Sequence, residues 1–151
     1  MANYNVINAQ LRALAQEEAW YVPLMANASA LLYEALPDLN WAGFYIMKDG
    51  RLTVGPFQGK PACIHIAPGK GVCGTAAARN ETVLVPDVHL FPGHIACDGA
   101  SESEIVIPLR DGETVRAVMD IDSPVKGRFT PEDREGLETL ARAIEKTVRW
   151  T

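Results

Sequence analysis

The chain contains no apolar run near the roughly 20 residues that cross a bilayer, so no membrane span is expected. Its first ten residues, MANYNVINAQ, hold neither the basic nor the apolar region of a secretion signal. Basic residues are in deficit: 14 Lys and Arg stand against 19 Asp and Glu, a formal charge of -5. No Lys/Arg-rich patch is visible, which argues against a nucleic-acid ligand. Repeats, low-complexity tracts and linkers are also absent. Cysteine is scarce and odd in number, three in 151 residues. That excludes the small disulfide-stapled class and points to a reducing, cytoplasmic setting. What remains is one ordinary domain over 1-151, 48% hydrophobic and long enough to bury a core unaided.

Hydrophobic spacing orders the chain. Residues before Pro37 read as two helices, the first capped by Asn8 and carrying Leu11, Leu14 and Ala15, the second beginning at Pro23. Trp41 to Met47 and Leu52 to Phe57 read as a hairpin about Lys48-Asp49-Gly50-Arg51. A short apolar stretch from Ala62 to Ala67 reads as a further strand, VCGTAAAR as a short helix after a glycine turn, and Val83 to Val85 as a brief strand. From Pro86 to about Ser103 there is neither helical nor strand period, and a connection of that length is usually a functional loop. Glu104 to Leu109 and Thr114 to Ile121 form a second hairpin. The chain ends in an amphipathic helix with Thr130 as cap, Pro131 first, and Leu137, Leu140, Ile144 and Val148 as its buried stripe. Helices at both ends of antiparallel hairpins make an α+β domain.

All three cysteines fall between positions 63 and 97. Cys97 sits in a Gly/Pro/His-containing loop, FPGHIACDGASESE, where a thiol is accessible; elsewhere a lone cysteine is more often a small core residue. Cys73 follows a glycine turn at a helix start, a position that stabilises a thiolate, and its competing reading is a core residue. Cys63 is read on a strand, as core or as a partner thiol. A zinc site drawn from Cys63, His65, Cys73, His89, His94 and Cys97 is also weighed. The cysteines are separated by nine and then twenty-three intervening residues, and structural zinc favours much tighter pairs. A second constellation is acidic. Asp120 and Asp122 alternate along one strand and share a sheet face, with Glu104 opening the neighbouring strand. Two like charges about 7 Å apart on one face are unfavourable unless a cation, a proton or solvent intervenes. Trp41 reads as core or as a flat apolar wall.

The segments NWAGFYI, GPFQGKPAC, GKGVCGTAA, DVHLFPGHIACD, SESEIVIPL and DIDSP resemble the free methionine-(R)-sulfoxide reductases, small proteins built on a GAF-type domain. The likeness runs from Asn40 to Phe129. It implies a central antiparallel sheet of about six strands with helices mainly on one face, and a cytoplasmic homodimer. The implied activity is reduction of free L-methionine-(R)-sulfoxide to methionine through a sulfenic acid and an intramolecular disulfide, recycled by thioredoxin, without metal or organic cofactor. By the same likeness Cys97 matches the nucleophile, and Cys63 and Cys73 match resolving thiols, Cys63 ranked first. Glu104, Asp120 and Asp122 match the substrate-holding acids and Trp41 the wall beside the substrate methyl. Acids crowded in one pocket cannot all ionise freely, so at least one should hold its proton. One departure stands out: Ala117-Val118-Met119 occupies the place of an expected Gly-Val-Leu before DID. A non-catalytic ligand-sensing module and a zinc-stabilised binding protein are the competing classes.

Overall fold

The computed structural model describes residues 2–151. Four helices and six strands follow in the order α1 (Tyr4–Glu17), α2 (Tyr21–Ala35), β1 (Trp41–Lys48), β2 (Arg51–Gly59), β3 (His65–Ile66), α3 (Gly71–Arg79), β4 (Val83–Val85), β5 (Ser103–Asp111), β6 (Thr114–Ser123) and α4 (Pro131–Thr147). The strands form one sheet in the order β3-β2-β1-β6-β5-β4, with every neighbouring pair antiparallel. The expected α+β architecture is therefore present.

Two hydrophobic layers flank this sheet, and side-chain alternation assigns each strand residue to one of them. Ala42 and Phe44 of β1, Ile105, Ile107 and Leu109 of β5, and Ala117, Met119 and Ile121 of β6 pack against α1, α2 and α4. Trp41, Tyr45, Val106 and Val118 point the other way, toward α3 with its Val72, Cys73 and Ala76. Three helices thus cover one face and one short helix the other. Ala117 and Met119, the departure noted in the sequence, are fully buried in the first layer, where a change of volume is absorbed by apolar neighbours.

Several local expectations need correction. The cap of α1 is Asn3, whose side chain accepts from the Val6 amide; Asn8 lies inside the helix. Pro23 is the third residue of α2, which is tolerated because the first-turn N–H groups have no intrahelical acceptor. The strand expected over Ala62 to Ala67 shrinks to His65–Ile66. Pro61 and the need to bridge toward the long loop leave Cys63 in extended chain outside the ladder. Val148 is the C-cap of α4 and not a member of it. Thr130 behaves as read: its hydroxyl accepts from the Asp133 amide and the Asp133 carboxylate accepts from the Thr130 amide.

One glycine sets the spacing of the sheet face that matters below. Gly43 pairs with Phe57 on β2 and Asp120 on β6, and a Cβ there would lie 2.3 Å from Phe57 Cβ. The vacancy lets Phe57 stack on Trp41, ring centroids 5.0 Å apart, while Trp41 also stacks on Tyr45 at 5.7 Å. Gly43→Ala is expected to lower stability by about 1–3 kcal/mol through overpacking. The readout is a fall in the urea midpoint with unchanged slope.

Candidate active site

The inner strands supply the floor of a pocket. Glu104 on β5 pairs with Asp122 on β6, and Asp122 in turn pairs with Trp41 on β1. Asp120 lies two residues earlier on β6, on the same face. All three carboxylates are buried, at 7%, 5% and 9% exposure for Glu104, Asp120 and Asp122. Among the described residues no Lys or Arg forms an ion pair with any of them. Asp120 Oδ1 and Asp122 Oδ1 have no hydrogen-bond donor. The wall is α3, from which Cys73 Sγ reaches to 4.0 Å from Glu104 Oε2. Trp41 closes one side and is held by its indole N–H donating to the Lys60 carbonyl at 3.2 Å.

Proton occupancy follows from this burial. Burial first, then the negative charge of Asp120, pushes the carboxyl groups of Glu104 and Asp122 well above their ordinary range. Burial raises Asp120 too, but hydrogen bonds from Glu104, Asp122 and Cys73 pull it back. The three therefore titrate as one unit that carries fewer charges than carboxyl groups. The Cys73 thiol is pushed well up by burial and then by repulsion from Asp120 and Glu104, so it is a neutral donor at pH 7. That removes the expectation that its helix-terminal position yields a thiolate: desolvation outweighs the helix dipole here. The imidazole of His94, at the pocket rim, is driven down chiefly by burial.

The rim carries the other two cysteines. Cys63 and Cys97 form a disulfide with Cα atoms 5.4 Å apart, joining positions 34 residues apart. Cys97 lines the pocket together with Trp41, Cys73, Glu104, Asp120 and Asp122; Cys63 does not. The pocket is open to solvent at its rim, and its inner space is about 40 Å³, room for a few waters at about 10–15 Å³ each. The loop between β4 and β5 is tied at several points. Asn40 Nδ2 donates to Asp98 Oδ2 at 3.0 Å and to Ser101 Oγ at 2.9 Å. The Ala100 amide donates to Asp98 Oδ1, and a short 3-10 turn at Val88–Leu90 has its first amide bonded to the Glu102 carbonyl.

Six of the seven residues singled out in the sequence thus line one pocket, and the seventh, Cys63, is joined to it through its bond to Cys97. The zinc set does not: Cys63 and Cys97 are bonded to each other, His65 lies beside Thr53, and His89 pairs with Asp87 and Glu102. Three pocket features were missed. Tyr45 was legible, being four residues from Trp41 on one strand face. The Asn40 tie and the placing of Ile95 over Gly71, 3.1 Å from where a Cβ would stand, depend on loop geometry that carries no periodic signal.

Comparison with known proteins agrees with this arrangement. The GAF domain family matches residues 26–148. The free methionine-R-sulfoxide reductase of Escherichia coli is 53% identical over 98% of this chain and 90% of that protein. The chain belongs to the free methionine-(R)-sulfoxide reductase family. Two structures of fRMsr of Staphylococcus aureus superpose closely. The reduced form has a TM-score of 0.95 at 45% identity, and the complex with substrate 0.93 at 44%; each covers 99% of this chain and 97% of that one. The fold is accordingly the GAF domain, and the carboxylate pocket lies in a member of a sulfoxide-reductase family.

Protonated acids buried beside a charge make stability pH-dependent. For Glu104 the folded-state value is raised, so its contribution is complete at low pH and is lost as pH climbs from the usual carboxylate range through the folded-state value. Glu104→Gln removes that loss while keeping a donor to Asp120. It is expected to be more stable than the parent at pH 8, with the difference shrinking toward pH 4, in thermal melts across that range.

Proposed function

We propose that this protein, as one GAF domain, reduces free L-methionine-(R)-sulfoxide to methionine in the cytoplasm, working as a homodimer without metal or organic cofactor. The observation that carries the reading is a disulfide-forming cysteine, Cys97, facing three buried carboxylates that have no cationic partner. A free amino acid brings an ammonium group, which the Asp120 charge attracts, and a sulfoxide oxygen, which a protonated carboxyl can bond. Peptide-bound methionine sulfoxide has no ammonium at that position and leaves the charge unpaired, at a cost of the kind that gives polar sites strong discrimination. The family relation supports the substrate class: one relative is named for this activity and the fRMsr of Staphylococcus aureus binds its substrate in the same fold.

The chemistry divides among the residues. Glu104 or Asp122 hydrogen-bonds the sulfoxide oxygen and shares its proton as the S–O bond weakens. Trp41 and the stacked Tyr45 present an apolar face to the thioether carbons, and Phe57 stacks on Trp41. The Cys97 thiolate attacks the substrate sulfur, oxygen passes to the cysteine, and methionine leaves with its lone pair restored; Cys97 is now a sulfenic acid. The Cys63 thiol condenses with it, water departs and the disulfide forms. Thioredoxin then delivers two electrons and two protons and regenerates both thiols. Cys63 is favoured over Cys73 as resolving thiol because it lies outside the acidic pocket, whereas Cys73 is held protonated within it.

The decisive assay supplies each sulfur epimer of free methionine sulfoxide with thioredoxin. Turnover of the R epimer alone is expected, and turnover of neither overturns the reading. Cys97→Ser is expected to lose activity by about a thousandfold or more. Cys63→Ser is expected to release one methionine per protomer in a single turnover and then stall; sustained thioredoxin-driven cycling by that variant removes Cys63 from the resolving role.

A further inference from the structure

The disulfide has two unlike ends. Cys97 belongs to the pocket lining, while Cys63 lies outside it in the connection between β2 and β3. The neighbour of Cys63 is Ile64, 62% exposed, one of several large apolar side chains open to solvent and the one that adjoins the disulfide in sequence. Ile64 is not a loose side chain on a drifting loop: its carbonyl accepts from the Val54 amide at 2.9 Å, which fixes it at the sheet edge beside β3. The charge of this region is also unlike the rest of the chain. From Arg51 to Asn80 there are four cations, Arg51, Lys60, Lys70 and Arg79, and no Asp or Glu, although the protein as a whole is at -5. Lys60 and Lys70 are exposed.

We propose that this edge, Lys60 to His65 with Ile64 at its centre, is the docking surface for a dithiol protein whose reactive cysteine sits in an apolar rim bordered by acidic residues, and that the incoming thiolate attacks the Cys63 sulfur. This rests on the reductase reading above and adds to it which sulfur is attacked and what holds the reductant. The Cys63–Cys97 bond breaks, a mixed disulfide forms between the partner and Cys63, and the electron pair stays on Cys97, which is released as a thiolate on the pocket side. The second partner thiol then attacks the mixed disulfide at the partner's own sulfur, freeing Cys63 and leaving the partner oxidised. Attack on Cys97 would instead bring the partner into the mouth of the substrate pocket, which Cys97 lines and Cys63 does not. Transient redox encounters bury little area, under about 1,200 Å², so one exposed apolar anchor and one cation carry a large share of the recognition.

The test uses the full chain with a bacterial thioredoxin or with dithiothreitol as reductant. Ile64→Glu is expected to raise the KM for thioredoxin about tenfold while leaving dithiothreitol-driven turnover of free methionine-R-sulfoxide unchanged. Lys60→Glu should raise the same KM and flatten its dependence on salt. A thioredoxin carrying only its attacking cysteine should be trapped on Cys63, located by peptide mass spectrometry. An unchanged thioredoxin KM in both variants, an adduct on Cys97, or a wild-type protein that turns over with dithiothreitol but not with thioredoxin overturns the docking surface while the reductase reading stands. Absence of turnover with either reductant overturns the reductase reading itself.

Discussion

Everything in this structure turns on the pairing register of β5 and β6. Ile105, Ile107 and Leu109 on one strand and Ala117, Met119 and Ile121 on the other must face the three-helix layer, because that is where their apolar surface leaves water. Alternation then forces Glu104, Asp120 and Asp122 to the opposite face. A slip of one residue would exchange the two sets, placing carboxylates in the main core and six apolar side chains in the pocket. The hydrophobic layer thereby fixes the acids where ionisation is costly. Burial on one side of the sheet offsets the electrostatic strain on the other.

That strain is the source of the chemistry. Three carboxylates exposed to water would all be ionised at neutral pH and could only attract cations. Enclosed beneath α3 and Trp41, they share fewer charges than groups, and the pocket holds both a negative charge and transferable protons within a few ångströms. A zwitterionic sulfoxide makes use of both. The same burial keeps Cys73 as a thiol that donates toward the acids, so one environmental cause sets the protonation of four groups.

The parts of this arrangement that were legible in the sequence are those governed by period. Asp120 and Asp122 straddle Ile121, and this alone put them on one face; Trp41, at the first position of an alternating strand, followed the same rule. The cap at Thr130 was legible because Thr130 and Pro131 stand directly ahead of the apolar stripe of α4. Cys63 was misplaced onto a strand because ACIHIA has the apolar content of one, yet Pro61 and the disulfide draw the chain away from the ladder until His65. Asn8 was read as a cap because it precedes an apolar run, whereas Tyr4 extends the helix one turn earlier by donating its hydroxyl to Asp133, 129 residues on, at 2.6 Å, with its ring over Gly136. Contacts of that separation leave no local signature.

The pairing of Cys63 with Cys97 also decides what the third cysteine does. A resolving thiol must be ionised to attack a sulfenic sulfur efficiently, and it must be reachable afterwards by the reductant. Cys73 meets neither condition: it is 4% exposed, and its proton is retained by burial and by the surrounding negative charge. Cys63 is partly exposed and lies outside the acidic pocket. The Cys63–Cys97 bond also ties the β4–β5 loop to the connection between β2 and β3. In the proposed cycle Cys97 cannot attack a second substrate until its bond to Cys63 has been reduced. The oxidised state is thus a chemical intermediate, and the sulfur that the proposed reductant attacks is the one that does not line the acidic pocket.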